Sequence, residues 1–132
     1  MGKASLKFEP ENSIRSEMLA NLGDISQIEI FNNQILCVVY IRPEKTKGGI
    51  ILAEQSRAED KYQSKVGLVV KKGPDAFIDA SEQWFKEMDI QMHDWVVFRP
   101  SDGWSITING ILCRILDDTN VRGRIQSPEQ VW

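Results

Sequence analysis

The stretch WSITINGILCRIL, residues 104–116, decides the fold class, because two alternating apolar segments flank an Asn-Gly pair. Asn109 and Gly110 both tolerate the positive φ angles of a two-residue type I′ turn. The segments on either side of that pair are therefore expected to form an antiparallel β-hairpin. Two strands alone are marginally stable in water, so further strands are expected elsewhere in the chain.

Further strand-like runs occur upstream and downstream of this hairpin. Residues 34–41 (QILCVVYI) form a continuous apolar run that favours a buried strand, and residues 66–72 (VGLVVKK) resume the pattern before Gly73-Pro74 ends it. Residues 94–100 and 120–125 complete the set of predicted strands. Five or more short strands with frequent turns predict a mainly β fold, a small partly open β-barrel spanning residues 34–125.

Residues 1–33 read as an N-terminal extension that contains a short amphipathic helix. Asn12-Ser13 offers an N-cap and Gly23 a stop. The apolar stripe lies either on the body of its own domain or on a neighbour, and a second short helix with an aromatic patch is expected within residues 75–90. Residues 126–132 form a C-terminal tail. The possible interface residues in these segments are Met18, Leu19, Leu22, Trp84, Phe85 and Trp132.

Residues 44–65 form a long polar segment between two predicted strands. Such segments inside a compact domain are commonly functional or mobile. Within it, Gly48 and Gly49 precede an isolated apolar triplet, Ile50, Ile51 and Leu52. The triplet is either a partner-binding element on a flexible arm or a short core or edge strand.

Composition excludes several classes of function. The 132 residues carry 16 Lys+Arg against 19 Asp+Glu, so the basic footprint of a general nucleic-acid binder is missing. No membrane-spanning run or signal peptide is expected, and the cytosol is the default compartment. Cys37 and Cys113 are interpreted as buried thiols, His93 has no second His at ligand spacing, and Asp117-Asp118 reads as solvated loop charge. We therefore expect no enzyme, no metal and no cofactor.

The polar segment and the strands around it resemble the GroES-like co-chaperonins. Residues 45–52 (KTKGGIIL) look like the mobile loop of that family, and residues 67–74 (GLVVKKGP) look like its next strand and closing turn. Residues 89–98 (DIQMHDWVVF) are similar to a further family stretch, with His93 where the family usually has Gly. His is among the residues enriched at left-handed backbone positions, so the exchange is tolerable.

The resemblance implies a ring of identical subunits that caps a chaperonin, with ATP hydrolysed by the partner. Each subunit would insert Ile50, Ile51 and Leu52 into a groove of the chaperonin, and Gly48 and Gly49 would give the backbone its freedom. The helical, aromatic segment at residues 75–90 stands where a roof hairpin is expected. Together with the additions at both termini, it is similar to divergent phage-encoded members.

That second similarity leaves an alternative open. The barrel would then be a structural protein of the virion, a capsid decoration, cement or adaptor subunit that contacts capsid or tail proteins. The two hypotheses place the protein in the bacterial host cytosol or in the virion, respectively.

Overall fold

The computed structural model describes residues 10–41, 64–78 and 89–131, with side chains from residue 14 onward. It contains one α-helix, six β-strands and two 3₁₀ turns within these ranges. The helix is α1 (Pro10–Leu22), and the 3₁₀ turns are Asp118–Asn120 and Pro128–Gln130. The strands are β1 (Gln34–Val39), β2 (Val66–Lys72), β3 (Trp95–Val97), β4 (Trp104–Ile108), β5 (Ile111–Asp117) and β6 (Gly123–Ile125).

The predicted N-terminal helix is present, but its start differs from the expected one. α1 begins at Pro10 rather than after the Asn12-Ser13 cap, so that capping prediction is wrong. Proline suits the first helical position because its missing N–H has no intrahelical partner there. The predicted end is confirmed, because Gly23 has φ +77° and its N–H donates to the Leu19 carbonyl at 3.2 Å.

The six strands form one antiparallel sheet in the order β4-β5-β1-β2-β3-β6. β1 lies at its centre, pairing with β2 on one side and β5 on the other, which confirms that residues 34–39 form a buried strand. The predicted β2 is confirmed over Val66–Lys72. The strands expected at residues 94–100 and 120–125 are shorter, because each pairs with its neighbour over only three residues.

Both faces of the sheet are buried, and each carries its own apolar core. The helix-side core lies under α1. The strap-side core lies on the other face and is named after the strap, residues 98–103. The buried members of the helix-side core are Leu22, Leu36, Val38, Tyr40, Val66, Leu68, Val70, Trp95, Ile108 and Cys113. Those of the strap-side core are Ile35, Cys37, Val69, Ala76, Ile90, Val96, Phe98, Leu116 and Val121. Burial on both faces explains why the β1 sequence is continuously apolar instead of alternating.

A six-residue strap, residues 98–103, joins β3 to β4, although these strands are fifth and first in the sheet. The Asp102 N–H donates to the Arg99 carbonyl at 3.0 Å, so the strap is folded into a turn, which agrees with a sheet that curls into the predicted partly open barrel. Arg114 on β5 fastens the strap, because its buried guanidinium donates to the carbonyls of Pro100 (2.6 Å) and Asp102 (3.0 Å). The guanidinium also lies 5.2 Å from the centre of the Phe98 ring. Burial lowers the pKa of Arg114, and the nearby Asp102 opposes that shift.

Two predicted turns have the expected backbone conformation. Asn109 and Gly110 have φ angles of 52° and 80°, as a type I′ hairpin requires. His93 has φ 71°, so it does occupy a left-handed position, and its N–H donates to the Val69 carbonyl at 2.7 Å.

Candidate functional site

The long polar segment leaves and re-enters the sheet at one point, which we call the neck: Tyr40, Ser64 and Val66. The Tyr40 N–H donates to the Val66 carbonyl at 2.9 Å, continuing the β1–β2 ladder beyond its last assigned pair. The Ser64 hydroxyl donates to the Tyr40 carbonyl at 2.6 Å, and Ser64 is fully buried. The two ends of residues 42–63 are therefore fixed side by side, so the fold itself closes this loop.

The neck is anchored to the helix-side core through aromatic contacts. The Tyr40 ring meets the Trp95 ring edge-on, with ring centres 6.1 Å apart and an interplanar angle of 82°. On α1, the Arg15 guanidinium lies 5.8 Å from the centre of the same indole. Since Trp95 is itself buried, its indole connects the neck to both the sheet and α1.

A cleft of about 430 Å³ opens beside the neck, between α1 and the end of β1. Its floor is apolar, formed partly by Ile14 and Met18 of α1 and by Ile41, the last described residue before the loop. Glu17 and Glu129 place carboxylates at its walls. α1 thus lies next to Ile41, after which residues 42–63 begin.

The opposite end of the sheet is fastened by a buried carboxylate. Asp118 is only 2% exposed, so its interpretation as solvated loop charge is wrong. Its Oδ1 accepts a hydrogen bond from the Asn33 side chain and its Oδ2 one from the Phe77 N–H, both at 3.0 Å. Phe77 is thereby held at φ 61°, a left-handed conformation that is uncommon for a bulky residue. Residues 79–88, which lie outside the described residues, follow directly from this end.

The predicted site residues divide into two sets. Gly48, Gly49, Ile50, Ile51 and Leu52 lie outside the described residues, as do Trp84, Phe85 and Trp132. Leu22 is buried in the core of its own subunit, and Met18 and Leu19 are partly buried against it. Of the two positions left open for the helix stripe, the structure therefore shows it on its own domain.

Sequence reasoning missed Tyr40, Ser64 and Asp118 as organising residues. In the sequence, Tyr40 is one member of the apolar run at residues 34–41. The tertiary partners of Ser64 and Asp118 are 24 to 85 residues away in the chain, and no local spacing signals them.

The described ranges offer little for other chemistries. Within residues 10–41, 64–78 and 89–131, no group of three His, Cys, Asp or Glu side chains could hold a metal ion. Among the same residues, no helix is long and apolar enough to cross a membrane. Both cysteines are buried and free, and burial raises the pKa of each thiol, that of Cys113 to about 11.

The fold and the neck define a class: a small antiparallel barrel in which a long polar segment, residues 42–63, begins and ends at one end of the sheet. Residues 27–125, about three quarters of the chain, match the family described as the chaperonin 10 Kd subunit, Cpn10. The chain therefore belongs to the Cpn10 family of co-chaperonins, which confirms the sequence resemblance and the fold class. No curated protein matches the chain.

Membership implies assembly into a ring and partnership with a chaperonin in general terms. The suggested phage origin is not shown by this match, and the virion alternative has no support from it. The expectation that the chain is not an enzyme agrees with the general character of the family.

Proposed function

We propose that this chain is a co-chaperonin ring subunit that binds a chaperonin through residues 42–63, with Ile50, Ile51 and Leu52 as the apolar contact. The observation that carries the proposal is the neck, which fixes both ends of this segment at one end of the barrel. Family membership supplies the class of partner.

The segment has the composition that such a contact needs. Its one apolar triplet follows Gly48-Gly49, two residues that let the backbone turn into a groove, and polar residues surround it. Burying three aliphatic side chains contributes about 5 to 9 kcal/mol at most. Ordering the loop offsets much of that gain. One loop alone is therefore a weak ligand.

Ring assembly combines several weak contacts into stable binding of the chaperonin. Loops held on one ring bind with a high effective concentration after the first has engaged, so overall affinity exceeds that of each contact. Weak individual contacts also keep release fast when the chaperonin changes state. On this proposal the subunit works in the cytosol beside its chaperonin and needs no cofactor of its own.

The test is ATP-dependent association with a purified chaperonin. Ile51→Asp places a charge in the apolar contact and should reduce the association at least a hundredfold while the far-UV circular dichroism stays unchanged. Ile78→Asp is the matched control, because Ile78 is a 66% exposed isoleucine at the opposite end of the sheet. Wild-type protein that never associates, or an Ile51→Asp variant that binds like wild type, would refute the proposal.

A further inference from the structure

The cleft beside the neck is built partly from segments on either side of the family match. Its lining includes four residues of α1 and also Glu129, which lies in the 3₁₀ turn Pro128–Gln130. Both of these elements lie outside residues 27–125, whereas β1, which also lines the cleft, lies within that range. The cleft is therefore a surface that this chain's two extensions add to the barrel.

The cleft combines a partly covered apolar floor with negative charge. Ile14, Met18 and Ile41 are each only half-buried. Glu17 and Glu129 are exposed, and neither carboxylate has an ion-pair partner among the described residues. No Lys or Arg is among the described residues that line the cleft. A short segment with apolar side chains on one face and cations on the other would complement this surface.

The sequence directly before α1, residues 3–9 (KASLKFE), has this composition. Leu6 and Phe8 are two positions apart, so an extended backbone places them on one face and Lys3 and Lys7 on the other. The segment thus offers two cations for the two carboxylates of the cleft. Exposed ion pairs contribute little by themselves, so the apolar contacts would hold the segment and the charges would set its register.

The segment is attached close enough to reach the cleft of its own subunit. Pro10 starts α1, and Ile14 lies four residues further on, about 6 Å along the helix axis. The residue before a proline favours extended backbone, so the chain leaves the helical path at Glu9. Apolar residues just before a helix commonly pack back onto its first turns. Residues 3–9 extend about 23 Å, enough to turn back and run along α1 from Ile14 to Asn21, about 10 Å.

We propose that residues 3–9 fold back into the cleft of their own subunit, with Leu6 and Phe8 on the apolar floor and the two lysines beside the two carboxylates. The short connection through Pro10 gives this segment a higher effective concentration at the cleft than the same segment of another copy. The docked segment covers Ile41, after which residues 42–63 begin. The contact lies within one chain, so it does not depend on the proposed function.

Cross-linking tests where the segment lies. Ser5→Cys puts a thiol on the segment and Asn21→Cys one at the cleft, and the native Cys37 and Cys113 are buried. Ser16→Cys is the matched control, because Ser16 is also exposed on α1 and nearer to Ser5 in the chain, but lies about 140° around the helix from Asn21. A short bismaleimide should join Ser5→Cys to Asn21→Cys at least tenfold faster than to Ser16→Cys, in a product of monomer mass. Equal rates, or a product that joins two chains, would overturn the proposal.

The reactivity of a thiol on the cleft floor tests the apolar contact. Met18→Cys should react slowly with a maleimide as long as the segment covers it. Adding Phe8→Asp should raise the reaction rate at least tenfold. Adding Ser5→Asp places the same charge on the other face of the segment and should raise it less than twofold. Equal rates in these two variants would overturn the proposal.

Charge reversal tests the match between the segment and the carboxylates. In the Met18→Cys variant at low salt, Glu17→Lys/Glu129→Lys should raise the rate of the maleimide reaction at least threefold. Adding Lys3→Glu/Lys7→Glu should bring the rate back to within twofold of the starting value. Far-UV circular dichroism checks that every variant keeps α1 and the sheet. A first reversal without effect, or a second one that does not slow the reaction, would contradict the proposed contact.

Discussion

The two ends of the barrel are built by different means. At the neck, a serine hydroxyl and backbone hydrogen bonds tie Tyr40 to Ser64 and Val66, with no buried charge. At the other end, the buried carboxylate of Asp118 joins Asn33 to a strained Phe77. A hydrogen bond to a charged group contributes about 1.5 to 3 kcal/mol, against about 0.5 to 1.5 kcal/mol for a neutral one. A change at the Asp118 end should therefore lower the free energy of unfolding more than a change at the neck, whereas a change at the neck should first affect binding through residues 42–63.

The largest effect is expected from removing the buried carboxylate. Asp118→Ala leaves the Asn33 amide and the Phe77 N–H without their acceptor and releases the left-handed turn. We expect the free energy of unfolding in urea to fall by about 3 kcal/mol. Asp117→Ala is the control, because the neighbouring carboxylate is exposed, caps the 3₁₀ turn that ends at Asn120 and accepts a long hydrogen bond from Gln34, at 3.3 Å. Equal losses in the two variants would mean that Asp118 does not organise this end.

A smaller loss is expected near the neck, from crowding rather than from a lost hydrogen bond. A Cβ on Gly67 would lie 2.8 Å from the Cys37 Cβ and 3.0 Å from the Phe98 ring. Gly67→Ala should therefore lower the free energy of unfolding by about 2 kcal/mol, in the range of overpacked cores. Gly123→Ala has open space around its added methyl and should change stability by less than about 0.5 kcal/mol. An unchanged free energy of unfolding in Gly67→Ala would show that the strap-side core relaxes to accept the added methyl group.

A change at the neck should lower the free energy of unfolding only slightly and should weaken association with the chaperonin. Ser64→Ala removes the hydroxyl donor to the Tyr40 carbonyl, at about 1 kcal/mol of stability in urea unfolding. Since the ends of residues 42–63 are then less firmly held, association with the chaperonin should weaken by more than the same change at exposed Ser105. If Ser64→Ala and Ser105→Ala bind the chaperonin equally well, the neck has no part in presenting the loop.

The last comparison concerns the two buried thiols in the middle of the sheet, between the two ends, which should have no effect at neutral pH. Burial raises the pKa of both thiols, that of Cys113 to about 11, so neither should react with a thiol reagent at pH 8 unless the domain unfolds. In the unfolded chain the thiols ionise near pH 8.5. The contribution of the two thiols to the free energy of unfolding should be constant below that pH and fall as the pH rises toward 11. Cys37→Ala/Cys113→Ala should lose this part of the pH dependence, measured as the urea midpoint.

Local chemistry was enough to predict the hairpin and the helix stop, whereas the left-handed position of His93 was expected from the family resemblance. Asn109-Gly110 and Gly23 carry their backbone preferences with them, so their positive φ angles follow from residue type. The prediction for residues 120–125 was wrong in part because Asn120 closes a 3₁₀ turn instead, its side chain accepting from the Asp117 N–H at 2.9 Å. Polar residues that compete for backbone groups make such boundaries ambiguous from sequence.

By itself the sequence determined that this chain is a mainly β domain with a polar, Gly-Gly-interrupted loop between two buried strands, because strand periodicity and turn chemistry are local properties. Only the tertiary structure decided that α1 covers its own sheet, that Ser64 closes the neck and that Asp118 is buried. Those outcomes depend on contacts between residues far apart in the chain, and a carboxylate or a hydroxyl has the same local preferences whether or not such partners surround it.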